Sequence, residues 1–285
     1  MKHLETLALL AHQPGVLVTV DQVQGSGPRE AGAWMAVFAD AVVNTIGGGH
    51  LEFQAMAEAR AWLAQGRPAQ PPQVLRYALG PALGQCCGGV VQVRLEGITL
   101  ADAPRLRAQL CPPLWPVALF GGGHVGRALV QTLSALPFAV RWIDSRDEIF
   151  PDAVADHVVC EHSDPVQSAV GDLAPHSAVL IMSFSHAEDL DVVAACLKRQ
   201  RAQDDVSFIG LIGSRTKWAT FRHRLQSRGF TDDELAQVTC PIGVPGITGK
   251  EPEVIAVAVA AQLLQWRDSR TQDAVHLFAP GSQQR

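Results

Sequence analysis

Charge is scarce in this chain of 285 residues: Asp, Glu, Lys and Arg make up 18% of it and apolar residues 47%. An average globular protein carries about 25% charged residues, so disorder by composition is excluded. Missing too is any dense basic stretch, since 23 Lys and Arg face 28 Asp and Glu for a net charge of -5. That leaves nothing to neutralise a phosphate backbone and excludes nucleic acid as the main partner. No apolar run is long enough to span a bilayer; the longest, around Val254 to Leu264, falls well short. The N-terminus, MKHLETLALLAHQ, has Glu5 inside its short apolar segment and lacks a small-residue cleavage site, so it does not read as a signal peptide. The cysteines, Cys86, Cys87, Cys111, Cys160, Cys196 and Cys240, form neither a CxxC pair nor a zinc-finger spacing with histidine. A disulfide framework and a structural zinc are therefore not expected, and a reducing cytoplasm is the expected compartment.

The length suits two domains. Ala101 to Trp115, ADAPRLRAQLCPPLW, holds three prolines and no sustained periodicity, which puts the boundary near Cys111 and gives domains 1–110 and 111–285. Upstream, Leu4, Leu7, Ala8 and Ala11 follow helical spacing, and Val16 to Val23 reads as a strand. Apolar runs at Ala33 to Ala39 and Ala41 to Ile46 follow, then a helix with Leu51, Ala55, Ala59 and Trp62 on one face. Val91, Val93 and Leu95 alternate with Gln92 and Arg94, as in a half-buried strand. The first domain is thus read as α+β. Downstream, strands from Val117, to Asp144, to Cys160, to Phe184 and to Ile212 alternate with helical segments. Such alternation predicts an α/β fold, a Rossmann-like doubly wound parallel sheet covered by helices. Glu253 to Trp266 is apolar nearly all round, as a buried helix would be, and Pro280 to Arg285 reads as a frayed tail.

Gly121, Gly122, Gly123, His124, Val125 and Gly126 satisfy G-x-G-x-x-G between a strand and a helix. Glycines there permit a tight turn and close backbone approach to a phosphate favoured by a helix N-terminus. Asp144, 21 residues after Gly123, ends the next strand, where a carboxylate can accept hydrogen bonds from a ribose. The same turn also serves packing alone or a different ligand. Thr45 to Glu52, TIGGGHLE, repeats the strand, turn and helix pattern with Gly47, Gly48 and Gly49. Two such turns suggest one bulky anionic ligand between the domains; the alternative is a backbone crossing at a tight turn. Cys86 and Cys87 precede Gly88 and Gly89 in an expected loop, where a thiolate can bind a soft transition metal or carry sulfur unless it is buried and inert. Arg215 and Lys217, where a strand gives way to a helix, suit a phosphate, or are simply solvated. Ser183, Ser185, His186, Glu188 and Asp189 cluster after the strand ending at Phe184, but no G-x-S-x-G elbow accompanies them, which argues against a hydrolase triad. Thr248 and Glu251 have capping-box spacing before the last helix.

GSGPREAGAWMAV, NTIGGGHLE, CCGG, FGGGHVGRALV, IDSRDEIFP, IGLIGSRTKW and PIGVPGITGKEPEVIAVAVAAQLL occur in an order that resembles the XdhC/CoxI family, over nearly the whole chain. Of the Thr-His-Asp-His that many relatives carry at Ser183 to His186, only His186 carries across, together with the later Asp189. The resemblance implies an accessory protein of purine catabolism, a chaperone without independent turnover. Such a protein binds the molybdenum cofactor in its molybdopterin form, assists its sulfuration with a cysteine desulfurase, and inserts it into the molybdenum subunit of apo xanthine dehydrogenase. A homodimer is consistent with the resemblance. On this reading Arg215 or Lys217 meets the cofactor's phosphate, the glycine turns and His186 line its site, and Cys87 or Cys86 faces molybdenum as a soft ligand. The competing reading is an NAD(P)-dependent oxidoreductase, with NAD preferred over NADP because Asp144 favours an unphosphorylated ribose. A third is an assembly factor that docks a dehydrogenase subunit without holding cofactor.

Overall fold

A computed structural model describes residues 2–66, 70–79, 89–111 and 114–278, with side chains to residue 270. The chain divides into two compact units, Met1–Pro112 and Pro113–Arg285. The first is built on an antiparallel sheet in the order β3-β2-β1-β5-β4. Its strands are β1 (Gly15–Gln24), β2 (Trp34–Val37), β3 (Val42–Asn44), β4 (Gln73–Ala78) and β5 (Val90–Ile98). Because strand side chains alternate between faces, β1 serves two cores at once. Val16, Val18 and Val20 pack with Leu51, Ala55, Ala59 and Trp62 of α2 (Gly49–Ala64). Leu17 joins Leu10 of α1 (Lys2–Leu10) and Leu106 and Leu110 of α3 (Ala103–Leu110) on the opposite face.

That second core corrects the expected linker. The proline-containing stretch after Ala101 includes α3, with Pro104 in its first turn, where the missing N–H has no partner to lose. Leu106 and Leu110, four apart, supply its buried stripe.

The second unit is a parallel sheet in the order β11-β10-β9-β6-β7-β8. It comprises β6 (Trp115–Phe120), β7 (Phe138–Asp144), β8 (Val158–His162), β9 (Ser177–Ile181), β10 (Val206–Leu211) and β11 (Val238–Thr239). Val117 and Leu119 face one core with Leu129 and Leu133 of α4 (His124–Leu133) and Val259 and Leu263 of α8 (Pro252–Phe278). Ala118 and Phe120 face the other, with Val193 and Cys196 of α5 (His186–Gln203) and Phe221 and Leu225 of α6 (Arg215–Ser227). Helices on both faces of a parallel sheet make this the doubly wound, Rossmann-like fold expected. The last helix differs from expectation in two ways. It begins at Pro252 rather than as a box capped by Thr248, and it is not buried all round, since Val257 is 56% exposed. Pro280 to Arg285, the expected tail, lies outside the described residues.

β6 pairs with β7 on one side and β9 on the other. The chain therefore reverses its direction of travel across the sheet between β6 and β9, and the loops 121–123 and 182–185 leave the carboxyl ends of these strands side by side. In open α/β sheets this switch point is where ligands bind.

Candidate functional site at the carboxyl edge of the parallel sheet

The glycine loop after β6 is held rigidly. The Trp142 indole N–H donates to the Gly121 carbonyl at 3.0 Å, and the Gly122 N–H donates to Asp144 Oδ2 at 2.6 Å. Gly121 has φ +125°, and a Cβ there would collide with the Met182 carbonyl of the neighbouring loop. A Cβ on Gly122 would lie 2.6 Å from the Ile149 side chain, and one on Gly126 would run into the Gly121 carbonyl. Gly123 is different: its surroundings are open to at least 4 Å. Gly123 and His124 are exposed at the start of α4, and among the described residues their backbone N–H groups meet no acceptor. Two backbone donors at a helix start are thus left without a partner of their own chain among the described residues, the condition under which such a terminus can take an anion.

Asp144 does not present itself as the sequence suggests. Only 1% of it is exposed, and its oxygens are taken by donors of its own chain. Besides Gly122, Arg146 donates its backbone N–H at 2.9 Å and Nε at 2.8 Å to Oδ1, and Nη2 at 2.9 Å to Oδ2. Burial alone would raise this carboxyl's pKa, but the hydrogen bonds from Arg146 and Gly122 outweigh it and hold the group below the usual carboxylate range. The same pairing raises the Arg146 pKa. The guanidinium also lies 4.5 Å from the centre of the Phe184 ring, a side chain 67% exposed. Glu188 ties the two loops again, accepting from Ser145 Oγ at 2.7 Å and from the Phe184 N–H at 3.1 Å.

Lys217 is likewise committed. Its Nζ pairs with Asp189 Oδ2 at 2.6 Å and donates to the Ile212 carbonyl at 2.9 Å, with 12% of the side chain exposed. Asp189, 2% exposed, also accepts from the Ser183 N–H at 2.7 Å. Lys217 therefore anchors α6 to the loop after β9. Arg215, two residues earlier, is exposed and makes no hydrogen bond or ion pair among the described residues. His186 is exposed as the first residue of α5, with its ring edge-on to Phe221 at 6.3 Å. A cavity of about 240 Å³ opens beside the Gly213 turn, walled by the loop at Pro241 to Val244 and by Ile255 and Ala258 of α8.

The glycine turn of the first unit, Gly47 to Gly49, has all three residues at positive φ. Three donors of that turn meet one carboxylate: Glu52 Oε2 accepts from the N–H groups of Ile46 and Gly48, both at 3.0 Å, and from the Thr45 hydroxyl, whose oxygen in turn accepts from the Gly47 N–H at 3.0 Å. Glu52 thus caps the turn from within its own unit, at a backbone crossing that the three positive φ values permit.

Cys86 and Cys87 lie outside the described residues. Of the described cysteines, Cys196 is fully buried with its thiol pushed up to about 12, and burial raises Cys240 to about 11. Neither is a thiolate near neutral pH. Among the described residues no cluster of three or more His, Cys, Asp or Glu could hold a metal ion.

Sequence reasoning located the glycine loop, Asp144, His186, Arg215 and Lys217, all of which the fold brings to one edge of the second unit. It missed Arg146, whose only signal was its place two residues after the strand-ending Asp144.

A 28% identical relative, the uncharacterized protein YqeB of Escherichia coli (strain K12), aligns over 90% of this chain, which spans only 44% of that protein's length. A crystal structure described as a xanthine dehydrogenase from Bacillus halodurans shares the fold with a TM-score of 0.75 at 24% identity, covering 95% of this chain and 97% of that one. The pattern of the XdhC and CoxI family fits residues 8–78 and that of the XdhC Rossmann domain residues 117–263, over half of the chain by itself, so the chain belongs to the XdhC and CoxI family.

Proposed function

We propose that the protein binds the molybdenum cofactor, protects it during sulfuration with a cysteine desulfurase, and inserts it into the molybdenum subunit of apo xanthine dehydrogenase. Family membership supports a role in xanthine dehydrogenase maturation. The observation that carries the cofactor reading is the corner at Gly123 and His124, exposed at a switch point, where a Cβ on Gly123 would meet nothing within 4 Å and the backbone donors have no acceptor among the described residues. This chemistry fits the cofactor's terminal phosphate, and Arg215, exposed at the start of α6, is a cation on the same edge of the sheet without an ion pair among the described residues. Lys217 and Asp144 support this from within the second unit, as braces rather than contacts.

The bound group would supply an oxo-molybdenum centre held through a dithiolene. Soft sulfur ligands suit it, and we assign that role to the adjacent pair Cys86 and Cys87; Cys196 and Cys240 are buried and held protonated. Cys87 is assigned to the metal end and Arg215 to the phosphate.

The test is anaerobic titration of the purified protein with molybdenum cofactor, separating bound from free by filtration and assaying the bound fraction for reconstitution of apo xanthine dehydrogenase. Near-stoichiometric binding with productive transfer is expected. Cys87→Ala should weaken sulfuration and transfer while leaving the fold intact; parent-level performance by that variant would remove Cys87 from the site. Absence of binding by the parent under reducing conditions would overturn the carrier reading.

A further inference from the structure

We infer that Arg146 is a specificity-determining residue that bars dinucleotides with an unphosphorylated ribose from the crevice at the end of β6. A Rossmann-like fold with a glycine loop implies such a ligand, whose ribose hydroxyls need the carboxylate at the end of the second strand. The residues present do not fit it. An ionised carboxylate offers about four lone-pair positions, and four donors occupy Asp144: the Gly122 N–H, the Arg146 N–H, and Arg146 Nε and Nη2. A ribose would have to displace two charge-assisted hydrogen bonds from a side chain only 1% exposed.

The guanidinium cannot simply swing aside. Its Cζ lies over the Phe184 ring, 4.5 Å from the centre, and the Phe184 N–H is held by Glu188, which also holds Ser145 beside Arg146. The circuit runs from the loop after β7 to the loop after β9 and back, passing over the glycine loop between them. The obstruction acts at the ribose end alone, since Gly123 at the phosphate end stays open. It concerns nucleotide exclusion and stands whether or not the chain carries molybdenum cofactor.

Calorimetric titration of the full-length protein with NAD tests this. The parent should bind with a Kd weaker than about 1 mM, and Arg146→Ala should tighten binding by at least about tenfold. The double variant Asp144→Asn/Arg146→Ala should lose that gain, because the uncovered carboxylate is what reads the diol. Phe184→Ala removes an exposed ring and leaves the ion pair intact, so it keeps the test open should Arg146→Ala fold poorly; it should tighten NAD binding by about threefold or more. Equal NAD affinity in the parent and the variants, whether strong or absent, would overturn the inference.

Discussion

The Arg146 guanidinium closes on the Asp144 carboxylate through two parallel hydrogen bonds, Nε to Oδ1 at 2.8 Å and Nη2 to Oδ2 at 2.9 Å. A carboxyl whose pKa is lowered on folding contributes stability that is complete above its unfolded value, about 3.9, and lost as pH falls through the folded value. Asp144 is lowered in this way against the opposing effect of burial. Urea unfolding between pH 7 and pH 3 should therefore show a loss of stability below about pH 4 that is shallower in Asp144→Asn. At pH 7 the same variant should be less stable by about 2 to 4 kcal/mol, since it leaves Arg146 without its counter-charge.

The glycines of the 121–126 loop divide into two kinds. Gly126→Ala places a methyl against the Gly121 carbonyl and should cost more than about 3 kcal/mol or prevent folding. Gly123→Ala meets open space at an ordinary φ of -68° and should leave stability within about 0.5 kcal/mol of the parent. If Gly123 lies against a bound phosphate, that silent change in melting should accompany a clear loss of cofactor retention in the filtration assay.

Glu52 fills the glycine turn of the first unit and accepts from two backbone N–H groups and a hydroxyl. Glu52→Ala strips acceptors from partly buried donors and should cost about 1 to 3 kcal/mol in chemical denaturation. Cofactor binding, measured on protein that remains folded, should be unchanged, because that turn is braced from inside.

Lys217 and Arg215 sit two residues apart yet should behave oppositely. Lys217→Met leaves Asp189, 2% exposed, without its cation and should destabilise by about 2 to 4 kcal/mol. Arg215→Ala, at an exposed position, should leave thermal melting alone and raise the Kd for molybdenum cofactor. Comparable losses of stability in both would put Arg215 among the structural residues.

Periodicity carried much of the fold. Leu51, Ala55, Ala59 and Trp62 are the buried residues of α2, and Val91, Val93 and Leu95 are the buried side of β5. β4 left no such trace because its residues are mostly exposed, and β11 is too short at two residues to show a period. Pro104 hid α3, since a proline reads as a break although the first turn tolerates it. At the site, the glycine loop was legible because tight turns restrict residue type locally. The commitments of Asp144, Lys217 and Glu52 were not, because each depends on which donors the tertiary fold brings to a carboxylate, and spacing alone does not encode that.

The order of strands around β6 also governs when the crevice comes into being. During synthesis β7 emerges soon after β6 and covers one of its edges; the other, Val117 to Phe120, waits for Ala178 to Ile181 of β9. An apolar strand edge left waiting is a template for wrong pairing between chains. A nascent chain halted before Ile181 would own the glycine loop but not the Met182 carbonyl against which Gly121 must turn, so the crevice is complete only once β9 has paired.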